Sequence, residues 1–286
     1  MSSSFDPRLT PARADLAADF LRGAIEATDY AKGVAKCVIA PSAPVHSAPN
    51  FAAGKSTELL MGEGFIVYEE KNGWAWGQAV LDDYVGYVPL DTLGLTNKPV
   101  SHKVAVLRTF IYAEPDLKSQ MLGGLSLGAL VATGNIHDKF IQIESGGWIF
   151  TDHLKTIADL EGDYLTTAIR FIGVPYLWGG RTSLGIDCSG LVQLALQAAG
   201  VGAPRDTDMQ SLALGRDVEP NPAMMERGDL VFFPGHVGIM VDQGTLIHAN
   251  AWDMMVSPHP LRFVVAEIAK EHDSPITCVR RLTSEG

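Results

Sequence analysis

Apolar and polar positions alternate in three different ways along the chain. From about Thr10 to Arg22 the apolar residues Leu16, Phe20 and Leu21 fall at i, i+4 and i+5, which predicts a helix within an N-terminal segment over 1–30. From about Ala35 to Asn97 the pattern turns to short β-type runs, CVIA, FIVYEE, WAWGQAV and YVGYVPL. Gly and Pro break these runs at close intervals, as in a small barrel. Between Val100 and about Ile157 similar runs recur: VAVLRTFIY, ALVATG, FIQIE and GWIFTDHL. The two stretches read as a faint internal repeat, with chance as the plain alternative. Each opens on an apolar strand followed by proline (Pro41, Pro115) and passes an apolar-glycine step (Met61-Gly62, Leu127-Gly128). Each ends on a glycine-aromatic pair and a leucine (Gly86-Tyr87 to Leu90; Gly147-Trp148 to Leu154). Two small barrels, over 31–98 and 99–158, fit the strand spacing.

After about Leu160 the period changes again. LEGDYLTTAIRFIGV predicts a helix with Leu165, Ile169 and Ile172 on one face, and PYLWGGRTSLGI a loop rich in turn residues. DCSGLVQLALQAAG predicts a second helix, and DLVFF, HVGIMVD, TLIHAN and CVRRL predict short strands. Helices followed by antiparallel strands make residues 159–286 an α+β domain.

Composition narrows the function classes. A chain of 286 residues accommodates two or three domains, and 47% hydrophobic residues excludes wholesale disorder. The formal charge of −11 argues against nucleic acid and anionic membranes as partners. No run approaches the ~20 apolar residues of a membrane-spanning helix. Asp6, Arg8, Arg13, Asp15 and Asp19 interrupt every apolar run near the N-terminus, so the expected compartment is the cytoplasm. The three cysteines, Cys37, Cys188 and Cys278, form neither a disulfide framework nor a zinc spacing. Glycine-rich nucleotide motifs are absent, and no metal or cofactor is expected.

Cys188 is the cysteine with a chemical context. Asp187 can cap the helix that follows, which puts Cys188 in its first turn. Backbone N–H groups and the helix dipole favour a thiolate there. The charge of Asp187 opposes it, so the sign of the pKa shift stays open, and a small buried residue at a helix start is the bland alternative. Strand alternation puts His236, Gly238 and Met240 on one face of HVGIMV, with Val237, Ile239 and Val241 on the other, and Leu246, His248 and Asn250 on a shared face of TLIHAN. If those strands pair, both imidazoles meet above one surface, as a base and its orienting partner for a nucleophile. Cys37 and Cys278 read as core. His46, His102, His137, His153, His259 and His272 have no partner at metal-ligand spacing and read as surface or loop.

Taken in order, Pro175-Tyr176, Trp178-Gly179-Gly180, Asp187-Cys188-Ser189-Gly190, Pro204-Arg205, Gly228-Asp229-Leu230, His236-Val237-Gly238-Ile239 and His248-Ala249 resemble the NlpC-type branch of papain-like cysteine peptidases. The segments DPRLTPARADLA, TELLMGE and GWAWGQAVLDDYVGYVP resemble the bacterial SH3-like region of dipeptidyl-peptidase VI enzymes. The resemblance implies two SH3-like β-barrels followed by a papain-like catalytic domain. It implies Cys188 as nucleophile, His236 as base, His248 as the third polar residue, and Tyr176 beside the thiol. It further implies γ-D-glutamyl-L-diamino-acid endopeptidase activity on murein stem peptides, L-Ala-γ-D-Glu-diamino acid, with a free N-terminal alanine. The alanine ammonium would meet Asp206 of Pro204-Arg205-Asp206-Thr207, helped by Tyr84 and Glu58. Trp178, Ser189 and Thr207 would line the same pocket. Thr207 stands where serine is also familiar. Three other readings compete: a noncatalytic peptide-binding module, an amidase or acyltransferase on another acyl substrate, and a secreted wall hydrolase.

Overall fold

The structure is a computed structural model, and it describes residues 5–95 and 98–282. Residues 1–4, part of the segment read for targeting, lie outside the described residues. The chain divides into two compact units at the step from Ile157 to Ala158.

In the first unit the helix expected over 10–22 does not form. Leu16–Ala18 is a strand paired in parallel with Asp29–Ala31, followed by a single 3-10 turn over Asp19–Leu21. The apolar stripe is not buried as a helix would require: Phe20 is 69% exposed, while the neighbours Ala17 and Ala18 are sealed. Tertiary contacts hold the segment extended. The Arg13 guanidinium pairs with Asp15 and Glu69, donates to the Tyr87 hydroxyl at 2.9 Å and stacks 4.3 Å over Trp76. Short-range periodicity loses to these contacts.

That strap lies on a seven-stranded sheet in the order Lys55–Leu60, Ser42–His46, Val85–Pro89, Trp74–Ala79, Gly64–Lys71, Val34–Val38, Leu93–Gly94. Alternate residues Phe65 and Val67 point into a core with Val38, Val45, Leu59 and Val88. Further on, a five-stranded sheet orders Met121–Ser126, Arg108–Tyr112, Trp148–Phe150, Phe140–Ile143 and Thr133–His137. A three-stranded sheet orders Leu130–Val131, His102–Val104 and Leu154–Thr156. The faint repeat has a local geometric counterpart. Gly62 (φ 81°) donates its amide to Val38 O at 2.8 Å, and Gly128 (φ 89°) donates to Val104 O at 3.0 Å. Both φ values belong to the left-handed region that glycine enters without strain. Each stretch then closes through a 3-10 turn, Leu90–Thr92 or Thr151–His153, onto a buried leucine, Leu93 or Leu154.

Among its described residues the second unit has four α-helices: α1 (Tyr164–Ile169), α2 (Cys188–Ala198), α3 (Thr207–Ala213) and α4 (Leu261–Ile268). Its six-stranded antiparallel sheet runs Arg216–Val218, Cys278–Arg281, Leu230–Phe233, His236–Met240, Thr245–Asn250, Met255–Pro260. The α1 segment is shorter than its pattern predicts. Leu165 and Ala168 are buried, but Ile169 and Ile172 are 40% and 49% exposed, so the expected face is only partly the buried one. Helix α2 is buried from Cys188 to Leu196 and packs on the central strands His236–Met240 and Thr245–Asn250. It stops where Gly200 adopts φ 82°, with Val201 N donating to Leu196 O at 2.9 Å and Gly200 N to Gln197 O at 3.0 Å. That is the paired closure that a C-terminal glycine permits.

Candidate active site

Asp187 organises the start of α2. Its carboxylate takes four donors: Gly190 N at 2.7 Å, Gly179 N at 2.8 Å, Arg205 Nη2 at 2.6 Å and the Ser189 hydroxyl at 3.3 Å. The Gly190 bond is the helix cap expected from the sequence. Arg205, 1% exposed, also donates to Ser189 Oγ at 2.7 Å. The Ser189 hydroxyl is therefore engaged inside this cluster. Gln210 of α3 donates to both Ser189 O and Pro204 O at 2.9 Å, tying the first turn of α2 to the Pro204-Arg205-Asp206 segment. Asp206 occupies the N-cap position of α3, and Thr207 opens that helix.

The Cys188 thiol sits at the first position of α2, with the amides of Val237 and Ser189 donating to it. The Val237 contact sets the sulfur against the beginning of the His236–Met240 strand. Burial, then the charge of Asp187, pushes the thiol up to about 12, against those amides and the Arg205 guanidinium. The question that helix position left open is thus decided by desolvation, which outweighs the helix terminus. Tyr176 lies near the thiol, its hydroxyl pushed up to about 12 by burial and then by charge at Cys188 and Asp187. It is a neutral donor. Trp178 is 70% exposed on the loop before Asp187.

The two strand histidines meet as the alternation predicts. Pairing of Met240 with Leu246 sets His248 diagonal to His236 across the two strands. His236 Nε2 lies 2.7 Å from His248 Nδ1. Burial lowers His236 to about 4. Burial, then the neighbouring imidazoles His236 and His259, lowers fully buried His248 further, to about 2. Both rings are neutral at physiological pH, the form in which an imidazole accepts a proton.

His259, read from the sequence as surface or loop, belongs to this group. Its Nδ1 is 3.0 Å from His248 Nε2, and its Nε2 is 3.3 Å from Asp253 Oδ2. The strand that carries it, Met255–Pro260, holds Pro258 and Pro260, which masked the strand pattern. The strand is at the sheet edge, where proline is tolerated. A hollow of about 310 Å³ opens beside the histidines, lined among others by Tyr176, His236, Asn250 and Trp252.

Tyr84 and Glu58 belong to the first unit. Tyr84 is 6% exposed within the core of the seven-stranded sheet, and Glu58 pairs with Lys55 at 2.7 Å. Cys37 and Cys278 are partly buried strand residues. Among the described residues no cluster of His, Cys, Asp or Glu is arranged to hold a metal ion, and no helix is long and apolar enough to cross a membrane.

Comparison with known proteins agrees with this layout. The profile of the NlpC/P60 family matches residues 173–268, and that of the bacterial dipeptidyl-peptidase Sh3 domain matches residues 45–93. A dipeptidyl-peptidase 6 of Lysinibacillus sphaericus is 28% identical over 243 residues, covering 74% of this chain and 86% of that protein. A gamma-D-glutamyl-L-lysine dipeptidyl-peptidase of Bacillus cereus is 31% identical over 243 residues, covering 72% of this chain and 70% of that protein. A crystal structure of an NlpC/P60 family protein from Bacillus cereus superposes with a TM-score of 0.74 at 19% identity, over 87% of this chain and 99% of that one, and so shares the fold. With a buried thiol at a helix start, two hydrogen-bonded imidazoles and relatives of this kind, the chain belongs to the NlpC/P60 family and is a cysteine peptidase with a bacterial dipeptidyl-peptidase SH3 domain in its N-terminal part.

Proposed function

We propose that the protein hydrolyses the γ-D-glutamyl–diamino acid bond of free murein stem peptides bearing an unblocked N-terminal L-alanine, in the cytoplasm, as a step in wall-peptide recycling. Cys188 attacks the γ-carbonyl of D-glutamate and gives its proton to His236. His236 then protonates the departing amine, and water cleaves the thioester to release the acyl product and restore the thiol. With the thiol near 12 and the base near 4 before substrate arrives, the proton rests on sulfur, so its transfer accompanies attack. The Tyr176 hydroxyl and the Cys188 N–H support the oxyanion. Residues 99–158 act as a second SH3-like barrel, a reading supported by the repeated glycine and 3-10 geometry.

The observation that carries this reading is the 2.7 Å contact between His236 and His248, on the strand whose Val237 amide meets the Cys188 sulfur. The names of the relatives support the bond cleaved. The alanine ammonium is assigned to Asp206, with Trp178 and Thr207 as the other proposed contacts within the same unit. A blocked alanine removes that charge-assisted contact, at a cost of about 2–3 kcal/mol, or roughly 30–150-fold in kcat/KM. Mass spectrometry of products from L-Ala-γ-D-Glu-diaminopimelate, free and N-acetylated, tests this. Release of diaminopimelate from the free peptide alone is expected. Equal kcat/KM for the two peptides overturns the specificity, and hydrolysis by Cys188→Ala overturns the nucleophile.

A further inference from the structure

Three imidazoles step diagonally across three neighbouring strands: His236, His248 and His259. They are joined at 2.7 Å and 3.0 Å, and the last is followed by the Asp253 carboxylate at 3.3 Å. The line is walled by rings. Trp252 meets all three histidines edge-on or tilted, and Phe263 of α4 stacks on His259 with centroids 5.0 Å apart. We propose that His259 and Asp253 are positioning residues that fix the tautomer of His236 through His248.

The argument follows the donors from the outer end. An ionised carboxylate only accepts. Asp253 already accepts the Ser257 hydroxyl at 2.6 Å, so His259 must present Nε2–H to it. A His259 that holds a single proton then has its lone pair on Nδ1, which requires Nε2–H on His248. His248, buried and neutral, carries one N–H, so its Nδ1 accepts and requires Nε2–H on His236. That leaves Nδ1 of His236 as the unprotonated nitrogen. Reversing the chain places a proton there and removes the base. A buried imidazole in the middle position makes the relay strict, because it has no water to accept its proton when a neighbour turns.

This inference rests on His236 being the general base, and its test separates the two. Imidazole nitrogen NMR on the ¹⁵N-labelled full chain reads each tautomer without substrate, and peptide hydrolysis reads the reaction. In the wild-type protein all three histidines are expected as Nε2–H. His259→Phe keeps the stack on Phe263 but removes the acceptor for His248. It should mix or reverse the tautomers of His248 and His236 and lower kcat about 10-fold or more at unchanged KM. The loss should stay below the ~10⁴-fold known for removing the group directly on a catalytic histidine. His259→Asn puts a carbonyl oxygen where Nδ1 was and should restore both readouts. Asp253→Leu, at a partly exposed position, should release the tautomer of His259 even if the buried variants fold poorly. Unchanged His236 and His248 tautomers in His259→Phe, or an unchanged His259 in Asp253→Leu, overturn the proposal. Tautomers that shift as stated in a protein with no peptidase activity overturn the role of the base and leave the relay standing.

Discussion

Replacing Asp187 with asparagine changes one atom and separates two properties of the site. The carboxylate receives donors on both oxygens: Gly190 N and Ser189 Oγ on one, Gly179 N and Arg205 Nη2 on the other. An asparagine oxygen turned to Gly190 preserves the helix cap, since Asn and Asp cap equally well. Its NH₂ then points at Arg205 and Gly179, both donors. Arg205 is 1% exposed and cannot move its charge into water. Removing the carboxylate hydrogen-bonded to such a sealed cation costs about 3–5 kcal/mol, and the stranded Gly179 N–H adds on the order of 1–3 kcal/mol. The terms share one site and do not sum, so Asp187→Asn should destabilise the protein by about 3–5 kcal/mol. The thiol moves the other way. Asp187 is the charge that raises Cys188 after burial has done so, and its removal lowers the thiol pKa. Below the wild-type pKa, iodoacetamide should therefore alkylate the variant faster at equal pH. Denaturant unfolding followed by tryptophan fluorescence gives the first quantity, and alkylation rate against pH, under conditions where the variant is folded, gives the second. A stability change under about 1 kcal/mol would show that the Arg205 pair is not the constraint described. A thiol pKa that rises would refute the electrostatic argument.

Two further outcomes follow from the same geometry. His236 and His248 titrate in the fold below the ordinary 6.5, at about 4 and about 2, so the unfolded chain takes up protons first. Their contribution is complete above about pH 6.5 and is lost as pH falls, down to about 4 for His236 and about 2 for His248. Each accounts for about 1.4 kcal/mol per pH unit in that window, so unfolding at about pH 5 should show roughly 2–4 kcal/mol less stability than at about pH 7. His248→Asn should flatten that slope, and an unchanged slope contradicts the neutral pair. Gly190→Ala should gain ~1 kcal/mol of helix propensity. Its Cβ, however, would sit 2.5 Å from Gly180 O and 3.0 Å from Asp187 Oδ1. The crowding wins by about 1–3 kcal/mol, visible as a lower Tm and a lower kcat.

The central strands and α2 were legible as short apolar runs bounded by turn and cap residues, the strands buried on both faces and α2 on nearly every side. Strand alternation puts His236 and His248 on one surface, as their 2.7 Å contact shows. Three things were not legible. The 10–22 segment has a helical spacing, but Arg13 reaches Glu69, Tyr87 and Trp76, partners more than fifty residues away. His259 sits between two prolines on an edge strand, where the usual strand signal is suppressed. Arg205 lies in the Pro204-Arg205-Asp206-Thr207 segment, yet nothing local announces that a guanidinium will be sealed against Asp187. For Arg13 and Arg205 the deciding contact is distant in sequence, and for His259 the flanking prolines hide a strand whose partner lies in the same hairpin.

The strand Cys278–Arg281 is an interior member of its sheet, between Arg216–Val218 and Leu230–Phe233. Its Val279 is fully buried, and Arg281 supplies two hydrogen bonds to the sealed carboxylate of Asp229, 52 residues upstream. This has a consequence for the order of events during synthesis. A ribosome adding about 5–20 residues per second makes α2 and the histidine hairpin seconds before the strand that completes their sheet. Until residue 281 has emerged, Asp229 has no arginine and the Leu230–Phe233 strand has one open edge. The thiol and its imidazoles thus exist in the nascent chain before the scaffold that aligns them. Hydrolytic competence is therefore expected only once this strand has joined the sheet.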